Sequence, residues 1–239
     1  MPSFNKVEIP LIKATNESLK GYGYLVDDYD QCKIEIVTWP KQGWRNIEEG
    51  TGNEGGTTEG PFEAWWEKNI LYGKNNAVEH KSEYDKDGRY LLGYNSDPDD
   101  SSKNLINEDP EQIYIWHVNY HPDGGQLFFP KENNPFISPL ALPGDDIQLN
   151  DFKAFYFNGS QGLYIHPNIW HEGVFPTKEK ASFKGKQGKV HARVSIDLLE
   201  EFKSYIYFKI AIYCINCHRL SLSNTITSNI DIIGNIFNN

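Results

Sequence analysis

The stretch Trp116-His117-Val118-Asn119-Tyr120-His121-Pro122-Asp123-Gly124-Gly125-Gln126-Leu127-Phe128-Phe129-Pro130 constrains the fold more than any other part of the chain. It reads as a strand, a tight turn and the start of a second strand. A strand sends alternate side chains to opposite faces. Ile113, Ile115, His117, Asn119 and His121 then share one face, while Tyr114, Trp116, Val118 and Tyr120 share the other. One face is bulky and apolar. The other begins apolar and ends in two imidazoles and an amide. That is how a β-barrel strand looks when it packs at one end and floors a pocket at the other.

Further strands are expected at Leu25-Val26, Ile34–Val37, Phe152–Phe157, Gly162–His166 and Val190–Leu198, with an apolar element at Phe62–Trp66. Asn158–Gly162 reads as a hairpin-type turn. On Val190–Leu198 the polar row is His191, Arg193, Ser195 and Asp197. The glycine-rich stretch 40–62 is expected to be a loop or irregular hairpins, since it lacks a nucleotide-binding fingerprint. Residues 95–110 are polar and acidic and read as a solvated connection. With 14% aromatics, 20 Gly and 13 Pro in 239 residues, the pattern predicts a mainly all-β chain, a barrel or jelly roll with a few short helices. The composition shifts after Phe202. Residues 1–202 are therefore expected to form one domain, and 203–239 an atypical, poorly ordered tail.

The net charge of −10 argues against nucleic acid and anionic membranes as partners. The first residues do not read as a secretory leader. Three cysteines make no disulfide framework, so a reducing compartment is expected, the cytoplasm or an organelle. Cys214-Ile215-Asn216-Cys217-His218 matches a haem-attachment pattern, but a five-residue match without a secretory context reads as chance.

The chemistry-bearing cluster is Asn119, His121, Gln126, His166 and His171. His-x4-Glu on a strand, turn and strand suits a transition metal, but here an amide, Gln126, holds the carboxylate place. An amide cannot balance a divalent charge. His121, Gln126 and His166 are thus either a degraded metal set or a metal-free pair of proton carriers with a hydrogen-bonding amide. His171 follows five residues after His166, across a proline, and either faces the pocket or orients it. Lys153, Arg193, Arg45 and Arg89 are candidate holders of a carboxylate, Arg193 by its place in the polar row. Asp145-Asp146 reads as a solvated turn.

The run His121-Pro-Asp-Gly-Gly-Gln126-Leu-Phe-Phe-Pro130 resembles the ureidoglycolate lyase family, with its His-Pro-x-Gly-x-Gln-x-Phe-x-Pro. A second match runs from Ala154 through Asn158-Gly159-Ser160-Gln161-Gly162 to His166 and Trp170-His171, and the Tyr22-Gly23 turn is similar to the family's early one. The resemblance covers most of 7–202, more weakly across 40–110. It implies a cupin-like barrel, a homodimer, and cleavage of (S)-ureidoglycolate to glyoxylate and urea within allantoin and purine catabolism. It implies that His121, Gln126, His166 and His171 lie at or beside the active site as catalytic residues, and Asn119, His117, Arg193 and Tyr164 are the expected substrate-binding residues. A divalent metal stays open as a cofactor. Ureidoglycolate amidohydrolase, another metal-dependent cupin enzyme and a non-catalytic small-acid-binding barrel are the alternatives.

Overall fold

The computed structural model describes residues 4–52, 54–75, 89–95 and 111–210. In chain order the strands are β1 (Asn5–Glu8), β2 (Leu11–Lys13), β3 (Gly23–Val26), β4 (Glu54–Glu67), β5 (Ile70–Asn75) and β6 (Tyr90–Tyr94). Then come β7 (Gln112–Ile115), β8 (His117–Tyr120), β9 (Gln126–Pro130), β10 (Phe136–Ala141), β11 (Lys153–Phe157) and β12 (Gly162–Ile165). The last are β13 (Trp170–His171), β14 (Phe175–Pro176), β15 (Lys180–Val190), β16 (Val194–Asp197) and β17 (Ser204–Lys209). One short helix, α1 (Leu198–Phe202), and a 3-10 turn at Leu149–Asp151 complete the described elements. The fold is all-β. None of the described helices is long and apolar enough to cross a membrane.

The strands make two sheets. One runs β1-β17-β7-β6-β5-β4-β15-β9-β12-β3, the other β16-β8-β13-β10-β11-β2 with β14 on β10. Phe62, Phe128, Phe155, Phe183, Trp170 and Phe208 belong to one continuous core. A second cluster of Val26, Tyr29, Cys32, Leu127 and Tyr164 lies under the 24–36 segment. Along β9 and β12 the alternation is strict: Phe128, Leu163 and Ile165 enter the main core, while Leu127 and Tyr164 enter the second cluster.

The opening motif forms two strands, but they do not pair with each other. β8 pairs with β13 and β16 in one sheet, and β9 pairs with β12 and β15 in the other. The turn from His121 to Gly125 therefore crosses between sheets. The expected continuous strand 113–121 also breaks, at Trp116, whose carbonyl accepts the Leu198 N–H at 2.7 Å. There the chain changes sheets, as corner-forming strands do. Likewise Asn158–Gly162 is no hairpin, because β11 and β12 lie in different sheets.

Three further expectations are corrected. Ile34–Val37 makes only one bridge, Ile36 to Gly124. Part of the glycine-rich 40–62 stretch is strand, since β4 pairs with β15 over its length. Phe202 does not end the ordered chain, because β17 pairs with β1 and β7 and buries Ile206 and Phe208 fully. Residues 211–239, with the cysteine pair, and the 96–110 connection lie outside the described residues.

Candidate active site

Sheet crossing at His121–Gly125 brings groups from both layers together. His121 closes β8, Gln126 opens β9, and His171 on β13 stands opposite Asn119 of β8. His171 Nε2 lies 3.0 Å from the Gln126 amide, so the contact spans the gap between the sheets. His121 packs edge-on to His171 with ring centroids 5.1 Å apart, and stacks on His191 at 3.6 Å. All five side chains are buried.

Burial, reinforced by His191, His171 and Arg193, holds His121 well below the ordinary imidazole value. The ring is neutral near pH 7. Its Nδ1–H donates to Ala192 O at 2.9 Å. That bond fixes the tautomer, leaving Nε2 with a lone pair and no hydrogen-bond partner among the described residues. Such a nitrogen is able to accept a proton.

His171 is committed differently. Its Nδ1–H donates to Ile169 O at 2.7 Å, and burial lowers its proton affinity. An amide chain continues from Gln126 to Gln187 (2.9 Å) and on to Asn75 (3.2 Å). With the Gln126 oxygen toward Nε2, His171 is an imidazolium donating twice. With the amide NH2 there, it is neutral. Burial and the Arg193 charge favour the neutral state, in which both nitrogens are occupied. His171 is therefore an orienting group.

The candidate cations sort clearly. Arg45 is spent on Glu201, through bonds of 2.8 and 2.7 Å, and on Asp145 O. Arg89 pairs with Glu67. Lys153 is exposed beside the Tyr22 ring. Arg193 has no carboxylate partner among the described residues, and its Nε is buried without a hydrogen bond. Its charge acts on both His121 and His171. A half-buried guanidinium whose Nε is buried without a partner is suited to an anion. Asn119 is buried too, and its amide makes no hydrogen bond among the described residues.

Three sequence-predicted residues lie elsewhere. His166 packs on Tyr24 and Tyr164, at 5.8 and 5.6 Å. Tyr164 sits in the second cluster, on the opposite side of β12 from Leu163 and Ile165, and its hydroxyl accepts the Glu35 N–H at 3.0 Å. His117 donates from Nδ1 to Glu172 at 2.8 Å, forming a flank next to His171. Conversely, sequence reasoning left out His191 and Gln187. His191 carried a signal, since it shares the polar row with Arg193. Gln187 carried none.

The implied metal finds no prepared set here. No group of three His, Cys, Asp or Glu among the described residues converges on one point. His166 packs on Tyr24 and Tyr164 instead, and both nitrogens of His171 are used.

The class is defined by a two-sheet, all-β fold with buried imidazoles beside a guanidinium that has no carboxylate partner among the described residues. The chain belongs to the ureidoglycolate lyase family, whose model, described as "Ureidoglycolate lyase", matches residues 74–201. Curated relatives named ureidoglycolate lyase, from Escherichia coli O139:H28 (strain E24377A / ETEC), Escherichia coli K12 / DH10B and Shigella boydii serotype 18, are each 35% identical over 71 residues. The match covers 30% of this chain and 44% of each relative, so the chain spans less than half the length of the relatives it matches.

Proposed function

We propose that the protein cleaves ureidoglycolate to glyoxylate and urea. One observation carries this reading: His121 presents a bare Nε2 in a buried site where Arg193 lacks an anion. Ureidoglycolate has one carbon bearing a hydroxyl, a carboxylate and a ureido nitrogen. Arg193 holds the carboxylate with paired N–H donors. His121 Nε2 takes the hydroxyl proton, the C–N bond breaks as the C=O bond forms, and the departing nitrogen takes a proton. Hydroxyl and nitrogen share one carbon, so His121 returns to the nitrogen the proton it took. The reaction balances with no net proton and no co-reactant. Asn119 and Gln126 orient the ureido group, with Gln126 held by His171.

The place of the reaction in the use of purine nitrogen through allantoin, a homodimeric assembly and a cytoplasmic or organellar location belong to the same proposal. They rest on family membership. The test is to incubate the purified protein with racemic ureidoglycolate, with and without chelator, and identify the products. Glyoxylate and urea in equal amounts, chelator or not, are expected. Ammonia in place of urea would make it an amidohydrolase. Loss of turnover in chelator would return the metal to the reaction. Ligand-induced thermal stabilisation without turnover would make it a binding protein.

A further inference from the structure

The segment 191–193 joins β15 to β16, lies outside both strands and carries His191 and Arg193. Residue 192 at its centre is gripped from several sides. Asp123 Oδ2 accepts the Ala192 N–H at 2.8 Å, and Ala192 O accepts His121 Nδ1–H at 2.9 Å. Gly52, at φ 79°, lies so close that a Cβ on it would come within 2.9 Å of the Ala192 Cβ. Thr51 Oγ1 accepts the Arg193 N–H at 3.0 Å, and Arg193 O accepts the Glu48 N–H at 2.8 Å. Asp123 is itself tied down: its carbonyl accepts the Val37 N–H, and Gly125 N–H donates to Glu35 O. It also lines a cleft of about 610 Å³ with Glu48, Thr51, Gly52 and Ala192.

We propose that Asp123 is a positioning residue for the reaction, one that anchors residue 192 by its N–H and, together with Thr51 on the following peptide, holds His121 in the tautomer with a bare Nε2. This rests on the reading of His121 as the base. Asp123 touches neither the His121 ring nor the expected place of the substrate. It acts through residue 192, accepting its N–H on one side of the Cα, while the Ala192 carbonyl on the other side, in the peptide unit whose N–H Thr51 accepts, orders the imidazole. Without it, residue 192 is held from the Arg193 side alone, by Thr51 and Glu48, the Ala192 carbonyl gains room to turn, and the bond that keeps the His121 proton on Nδ1 weakens. Asparagine can substitute, because its oxygen still accepts the Ala192 N–H. The other carboxylate oxygen, Oδ1, is buried without a partner, so the asparagine NH2 replaces no existing bond.

Two variants test this, Asp123→Ala and Asp123→Asn, with two readouts. The first is the 15N NMR signature of the His121 ring, which distinguishes a bare from a protonated Nε2 and needs no substrate. Wild type and Asp123→Asn should show one tautomer with bare Nε2, and Asp123→Ala a mixture. The second is kinetic: Asp123→Ala should lose about a hundredfold in kcat, the cost of a misaligned proton carrier, while KM changes by less than about threefold because the carboxylate grip remains. Asp123→Asn should recover most of the rate. Should Asp123→Ala not fold, Asp123→Ser is compared with Asp123→Asn, its shorter side chain falling short of the Ala192 N–H. A single unchanged tautomer with wild-type kcat in the shortened variants would overturn the proposal. A wild type that releases no glyoxylate would instead overturn the lyase reading, and the tautomer measurement would still decide the clamp.

Discussion

At the scale of single residues, the site separates histidines that the sequence grouped. His121→Ala should cut glyoxylate release by about 10²–10⁴-fold, the usual worth of a general acid or base. His166→Ala should keep close to wild-type kcat and KM, because that ring packs on Tyr24 and Tyr164 away from the imidazole cluster. Steady-state assays of the two variants side by side check both statements. Arg193→Ala should raise KM by about tenfold to a hundredfold, from the roughly 1.5–3 kcal/mol of a charged hydrogen bond. The position of His166 was partly legible. It shares the parity of Tyr164 on β12, and β12 sends the opposite parity, Leu163 and Ile165, into the main core. What concealed this was the short distance along the chain to His171, which suggested one cluster. Arg193 stood out as a candidate from its polar row, but its lack of a carboxylate partner among the described residues was not legible.

At the scale of elements, β17 shows how a change in composition misleads. The shift after Phe202 reads as the end of a domain, yet β17 is sandwiched between β1 and β7. Its own alternation held the signal: Ile206 and Phe208 are fully buried in the main core, while Tyr205 lies in a separate cluster and Tyr207 packs against that cluster. Phe208→Ala should cost about 3–5 kcal/mol, measured by urea unfolding. The partnership of β4 with β15 was equally hidden, because glycines in both strands suggest loops. Gly60 faces Gly185 across the ladder, and such a pairing is a property of two distant segments, which neither announces alone.

At the scale of the whole molecule, neutral imidazoles buried between two sheets make the fold sensitive to acid. His121 and His171 both have folded-state proton affinities below the ordinary value of 6.5. The unfolded chain therefore binds more protons than the folded one below that pH. Stability is full above about pH 6.5 and falls as the pH drops below it, by up to about 1.4 kcal/mol per pH unit for each histidine. The urea midpoint should accordingly fall between pH 7.5 and pH 5.0. For the same reason kcat/KM should hold its value somewhat below pH 6.5, where an ordinary imidazole base would already be protonated.

The sequence by itself determined that this chain is all-β, where most strands run and which faces are apolar, and it marked His121, Gln126 and Arg193 as candidates for the site. Side-chain alternation and turn residues are local properties, and a linear string records them. Only the tertiary structure decided that the strands flanking His121–Gly125 belong to different sheets. Because of that crossing, His121 meets His171 and His191 while His166 faces away. Strand pairing joins backbones far apart along the chain, and local periodicity says which way a side chain points without saying what will stand opposite it.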